Sequence, residues 1–161
     1  PSPDAAAALG PSTAMLPAGV REQLVSADPA TALAALAWVR SYALTSGEFP
    51  LLETVNAVGS PARRADAATV SALQQAKHSF TGMETTVASA SVASRKLLPG
   101  GSDAPTQTAV VSATVTIGPY AEHDAAGGVI HRQESNAAQK LDIVLVLVSG
   151  RWFVQQILPT R

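Results

Sequence analysis

The sequence predicts an α+β domain, three N-terminal helices packed on one face of a curved antiparallel sheet. Three observations point there. Residues 28–79 hold segments with helical spacing between start and stop residues. From Thr85 the pattern switches to β-branched and small residues with period two. The chain then closes on two apolar runs, 141–148 and 151–158, joined by Ser149-Gly150. Helices in sequence followed by meandering strands disfavour a parallel α/β fold.

The first helix starts at Asp28-Pro29, where a carboxylate can accept from free first-turn amides and a proline loses nothing at the first helical position. Residues 30 to about 45 hold neither Gly nor Pro; Leu33, Ala37 and Leu44 share a stripe with Leu36 and Arg40 alongside, and Ser46-Gly47 supplies the stop. Residues 49–58 predict a short helix with Pro50 in its first turn and Leu51, Leu52, Val55 and Val58 facing inward, broken by Gly59-Ser60-Pro61. A third helix follows from Ala62 or Asp66 to Ser79, with Val70, Leu73 and Ala76 or Lys77 on one face and Gly82 beyond its end.

Residues 85–94 alternate as a half-buried strand does, and 108–117 resume the alternation after the loop Pro99-Gly100-Gly101, predicting a hairpin. Gly118-Pro119 closes the second strand, Asp124 to Gly128 form a turn that takes in His123, and 129–134 make a third strand. Residues 141–148 are apolar on both faces, which predicts a central strand, and 151–158 return antiparallel until Pro159. In that register Trp152 lies beside Leu147, and Phe153 beside Val146 on the other face.

Composition bounds the function. The 161 residues suffice for one domain with a core and fall short of two. A net charge of −1 with 14% charged residues excludes a basic nucleic-acid footprint and an acidic solvating tail. No cysteine is present, which removes disulfides, thiolate catalysis, Cys-based zinc sites and iron–sulfur clusters. Residues 1–17 hold four prolines among small residues, the composition of a linker or tail, with 18–161 as the single domain; an arm packed through Met15 and Leu16 is the alternative. The start at Pro1, with no signal peptide or bilayer-spanning run, leads us to expect an export or anchoring segment upstream.

Candidate chemistry is sparse. Trp38 and Tyr42, at i and i+4, project from one helix face as core packing or as a pocket wall. His123 sits in Glu122-His123-Asp124 with no second histidine at ligand spacing, so no metal site is expected; His131 is a strand histidine that can sense pH or simply lie exposed, and His78 falls near a helix end. No nucleophile elbow or phosphate loop appears; Gly59-Ser60, Gly100-Gly101, Gly127-Gly128 and Ser149-Gly150 read as turns. The reading therefore names no catalytic residue and no cofactor.

The order of elements, the helix ending Trp38-Val39-Arg40-Ser41-Tyr42, the break at Gly59-Ser60-Pro61 and the closing hairpin with Gly150-Arg151-Trp152 resemble the NTF2-like or cystatin-like superfamily. More narrowly, Asp28-Pro29-Ala30-Thr31, Val55-Asn56-Ala57-Val58 and Gly118-Pro119-Tyr120 are similar to the C-terminal extracytoplasmic region of actinobacterial transmembrane serine/threonine kinases. The resemblance implies a cone-shaped cavity, with Trp38, Tyr42 and Trp152 as the ligand-binding residues. It implies a non-catalytic, extracytoplasmic, membrane-tethered ligand-sensing or protein-interaction domain of a larger protein, without kinase motifs of its own. The partner would be a small molecule, a peptide or a protein rather than nucleic acid, with membrane contact only through a segment outside this chain. Enzymes of the cone fold offer the alternative, an isomerase- or hydrolase-like site drawing on Asp142, Glu84, Tyr42 or Tyr120. A homodimer through the outer sheet face of Val144, Val146 and Phe153 is a further expectation.

Overall fold

The computed structural model describes residues 3–101 and 104–160. In chain order it contains α1 (Pro3–Ala7), a 3-10 turn at Pro11–Met15, α2 (Ala18–Leu24), α3 (Pro29–Ser46), a 3-10 turn at Phe49–Leu51, α4 (Leu52–Val55) and α5 (Pro61–Ala76). The strands follow: β1 (Ser79–Thr81), β2 (Thr85–Leu97), β3 (Gln107–Ile117), β4 (Tyr120–His123), β5 (Val129–Gln133), β6 (Ala137–Val148) and β7 (Arg151–Pro159). The fold is α+β, and all named strand pairs are antiparallel.

Local chemistry sets the helix ends. Asp28 accepts from the Thr31 amide at 3.1 Å and from its hydroxyl at 2.6 Å, and Gly47 leaves α3 at φ 78°. Ser60 caps α5 in the same way, accepting from Arg63 N at 3.0 Å with Pro61 behind it. The predicted helix over 49–58 is shorter. A 3-10 turn runs into the four residues of α4, and Asn56 turns extended to pair with Val154, so that Ala57 N donates to Val154 O at 2.8 Å. Val58, expected inward, is 88% exposed because it lies past that bridge.

The strands form two sheets rather than one: a four-stranded sheet in the order β2-β3-β6-β7 and a three-stranded one in the order β1-β4-β5. At Gly118-Pro119 the chain leaves β3, Gly118 N donating to Glu84 O at 2.8 Å, and β4 then pairs with Ser79–Thr81, which the helical spacing predicts at a helix end and beyond it. His123 accordingly ends a strand instead of sitting in the turn. β2 is not regular: two register shifts, between Ala88 and Ser91 and between Val92 and Ser94, each add a residue opposite β3, and Ser89 has φ 53°. Such bulges bend a strand and increase its twist. The final hairpin has the predicted register, Trp152 opposite Leu147 and Phe153 opposite Val146, across Ser149 and Gly150, both at positive φ.

The core lies between α3 and the inner face of the four-stranded sheet, where Leu36, Val39, Val111, Leu145 and Trp152 are fully buried. Residues 3–17, with a linker's composition, carry α1 and the first 3-10 turn; Ala5, Thr13 and Leu16 are buried while Met15 is exposed. Small side chains permit that close packing, and Leu16 joins the core cluster. Among the described residues, no helix is long and apolar enough to cross a membrane.

Candidate functional site

A cavity of about 130 Å³ lies beneath α3. Leu33, Leu36, Ala37 and Arg40 reach it from the helix at the i, i+3, i+4, i+7 spacing that makes one face. Alternate residues of the four-stranded sheet close it from below: Val87 on β2, Val115 and Ile117 on β3, Leu141 and Ile143 on β6, Val154 and Ile157 on β7. Period two alone would turn Gln156 toward the helix. A register shift at Val144/Leu145 makes Gln155 an extra residue, so Gln156 pairs with Val144 and Ile157 with Ile143, and it is Ile157 that lines the cavity.

The lining is apolar but for Arg40, Asn56 and Thr85. Two of these three are held by Asp66, a buried acid on α5. Arg40 Nε donates to both Asp66 oxygens at 3.0 and 3.1 Å and Nη2 to Oδ1 at 2.8 Å, while Asn56 Nδ2 donates to Oδ2 at 2.8 Å. A two-point Arg–carboxylate pair with a third donor on the same carboxylate fixes planar groups in place. Asp66 is thus committed to positioning, and Arg40, about one-third exposed in its side chain, stands at the edge of an apolar chamber with its remaining donors.

Asp66 was not singled out from sequence. The signal is nevertheless there: Ala62, Asp66, Val70 and Leu73 are spaced by four, four and three, which places an acid inside an apolar helix stripe. An acid in that position calls for a cation from another element, and 26 residues separate it from Arg40.

Of the residues read as ligand-binding, the structure brings Trp38 and Tyr42 together and keeps Trp152 apart. The Trp38 and Tyr42 rings stack with centroids 5.3 Å apart and planes 9° from parallel. With Ser41, Thr45, Met83, Glu84 and Thr85 they border a second cavity of about 150 Å³. Thr85 lines both chambers, and its hydroxyl hydrogen-bonds that of Ser41 between them. Trp152 is fully buried, its Nε1 donating to Ala27 O at 3.0 Å and its ring under the Arg95 guanidinium at 5.3 Å.

The residues considered for acid–base work are dispersed. Glu84 and Tyr42 share the second cavity; Asp142 faces away from the first and accepts from Ser112 Oγ at 2.7 Å; Tyr120 packs edge-on against Phe80 in the three-stranded sheet. His78 Nδ1 donates to Glu122 at 2.9 Å. His123 Nδ1 donates to the Gly127 carbonyl at 3.1 Å, and Nε2 is hydrogen-bonded to the Thr81 hydroxyl at 2.9 Å, so both ring nitrogens are committed. Among the described residues, no three His, Asp or Glu side chains converge as a metal site.

No protein-family model matches the chain, and no curated protein sequence matches it. Solved structures do match. The intermembrane space region of the chloroplast protein ARC6 superposes with a TM-score of 0.56 at 14% sequence identity, over 83% of this chain and 98% of that one. At that identity the likeness shows the α+β fold and leaves the chemistry to be argued from the side chains.

Proposed function

We propose that this is a non-catalytic binding domain, built as an NTF2-like cone, that holds a small and largely apolar molecule beneath α3 with its polar end toward Arg40. One observation carries the reading: the chamber's wall is apolar, and of its three polar side chains Arg40 and Asn56 are tied to Asp66 and Thr85 to Ser41 rather than left to perform proton transfer. The Trp38–Tyr42 cavity extends the binding surface through the shared Thr85. We place the domain outside the cytoplasm, as a ligand-sensing or interaction part of a larger membrane-associated protein such as a serine/threonine kinase. The sequence resemblance supports that placement, and the ARC6 region, itself from an intermembrane space, accords with it.

The test uses benzene, which suits an apolar chamber of this size. Titration followed by methyl NMR should shift Val115, Ile143 and Val87 saturably, and Val115→Phe, which fills the chamber, should remove the response. Shifts absent from the natural protein, or unchanged in Val115→Phe, would overturn the assignment.

A further inference from the structure

The second cavity, about 150 Å³ and bordered by Trp38 and Tyr42, differs in charge from the chamber beneath α3. One helix face supplies part of its wall, since Trp38, Ser41, Tyr42 and Thr45 are spaced i, i+3, i+4 and i+7 along α3. Residues 83–85, where the chain enters β2, supply the rest. In the first chamber the one charged side chain, Arg40, is neutralised by Asp66. In the second the one charged side chain is Glu84, which is exposed and has no cationic partner among the described residues. No Lys, Arg or His borders the cavity.

The aliphatic hydroxyls there have little left to donate. Thr45 Oγ1 donates to the carbonyls of Ser41 and Tyr42 at 2.9 and 3.2 Å, and the hydrogen bond between Ser41 and Thr85 uses one of their two protons. What they retain is chiefly oxygen lone pairs. The Trp38–Tyr42 stack, with centroids 5.3 Å apart, occupies one face of each ring, and both side chains remain half-buried at the cavity border. Aromatic faces carry negative charge density and attract a cation within about 6 Å of the centroid, Trp most strongly. A carboxylate, ring π-electrons and hydroxyl oxygens thus all favour a positive guest. A hard metal ion takes about six or more oxygen ligands, which one carboxylate among rings does not supply. An alkylated ammonium group, weakly hydrated and apolar on its outside, needs no such shell.

We propose that this cavity receives the ammonium group of an organic cation, its charge beside Glu84 and its carbon groups against the Trp38 and Tyr42 rings. The proposal rests on the reading of this domain as a binding module and names the head group that its second cavity takes.

The probe is tetramethylammonium chloride, with tert-butanol as a neutral molecule of similar shape and magnesium chloride as the metal cation, at constant ionic strength. Tetramethylammonium should shift the Trp38 indole N–H resonance saturably and leave that of the buried Trp152 in place, the two signals being assigned with Trp38→Phe. Neither tert-butanol nor magnesium should give a saturable shift. Glu84→Gln, at an exposed position, should weaken binding about fivefold, while Glu48→Gln, an exposed acid beyond the end of α3, should leave it unchanged. An unshifted Trp38 resonance, an equal shift with tert-butanol, a saturable shift with magnesium, or full affinity in Glu84→Gln would each overturn the proposal. If Glu84→Gln fails to fold, the comparison of tetramethylammonium with tert-butanol on the natural protein decides alone. The benzene titration keeps the two sites apart: Val115→Phe should remove the benzene response and leave the tetramethylammonium response. A response to tetramethylammonium without one to benzene refutes the chamber beneath α3 alone, and the reverse refutes this site alone.

Discussion

The two sheets share antiparallel pairing and little else. In the four-stranded sheet, Val111, Leu145 and Trp152 are completely buried against the helices. In the three-stranded sheet, Val129 and Ile130 are 45% and 49% exposed, and its contacts include the His78–Glu122 pair, the Thr81–His123–Gly127 chain and the Phe80–Tyr120 edge contact. All three histidines of the protein belong to this smaller region, at His78, His123 and His131. One sheet is held by area removed from water, the other by a few directed contacts in partial solvent, and these respond to different perturbations.

The largest effect should come from the buried side. Trp152→Ala removes the biggest fully buried side chain and its bond to Ala27 O, and should cost about 3–5 kcal/mol in urea unfolding. A loss below about 1 kcal/mol would erase the distinction drawn between the sheets. A smaller effect tests the helix that covers the large sheet: Asp28→Ala should cost about 1 kcal/mol. The Thr31 hydrogen bonds hold the Asp28 carboxyl below its ordinary value of 3.8, so the folded state binds its proton less readily than the unfolded chain. Its contribution is therefore complete above the unfolded value and disappears as pH falls through the folded one. The stability gap between natural protein and variant should stay constant from neutral pH to about 5 and close in acid. The smallest effect belongs to the exposed sheet. His78→Ala should change global stability by less than about 1 kcal/mol while speeding amide exchange in β1 and β4 and leaving β6 unchanged. Equal acceleration in β6 would make the two sheets one cooperative unit.

Much of the large sheet was legible because its signals are local. Asp28-Pro29 and Gly47 bound α3, and Ser149-Gly150 fixes the last hairpin's register to the residue. Of the small sheet only β5 was legible, since three residues of β1 are too few to show a period and Ser79 follows a helical stretch directly. The candidate site divides in the same way. Trp38 and Tyr42 meet because one helix places them four apart, whereas Arg40, Asn56 and Asp66 come from three segments whose meeting depends on how α3 and α5 dock. Trp152 is large and aromatic on either reading, and only its full burial distinguishes a core residue from a pocket wall.

The extra residue in β7 has a consequence for how this sequence can change length. Gln155 is skipped in the pairing, and the alternation resumes in phase at Gln156. The strand thus holds one residue of slack, like a reading frame that already contains a tolerated insertion. Losing either glutamine would straighten the strand and still leave Ile157 turned toward α3. Gaining one more would push every later side chain to the wrong face unless a second bulge absorbed it. At this edge of the chamber, shortening is the neutral direction and lengthening the disruptive one.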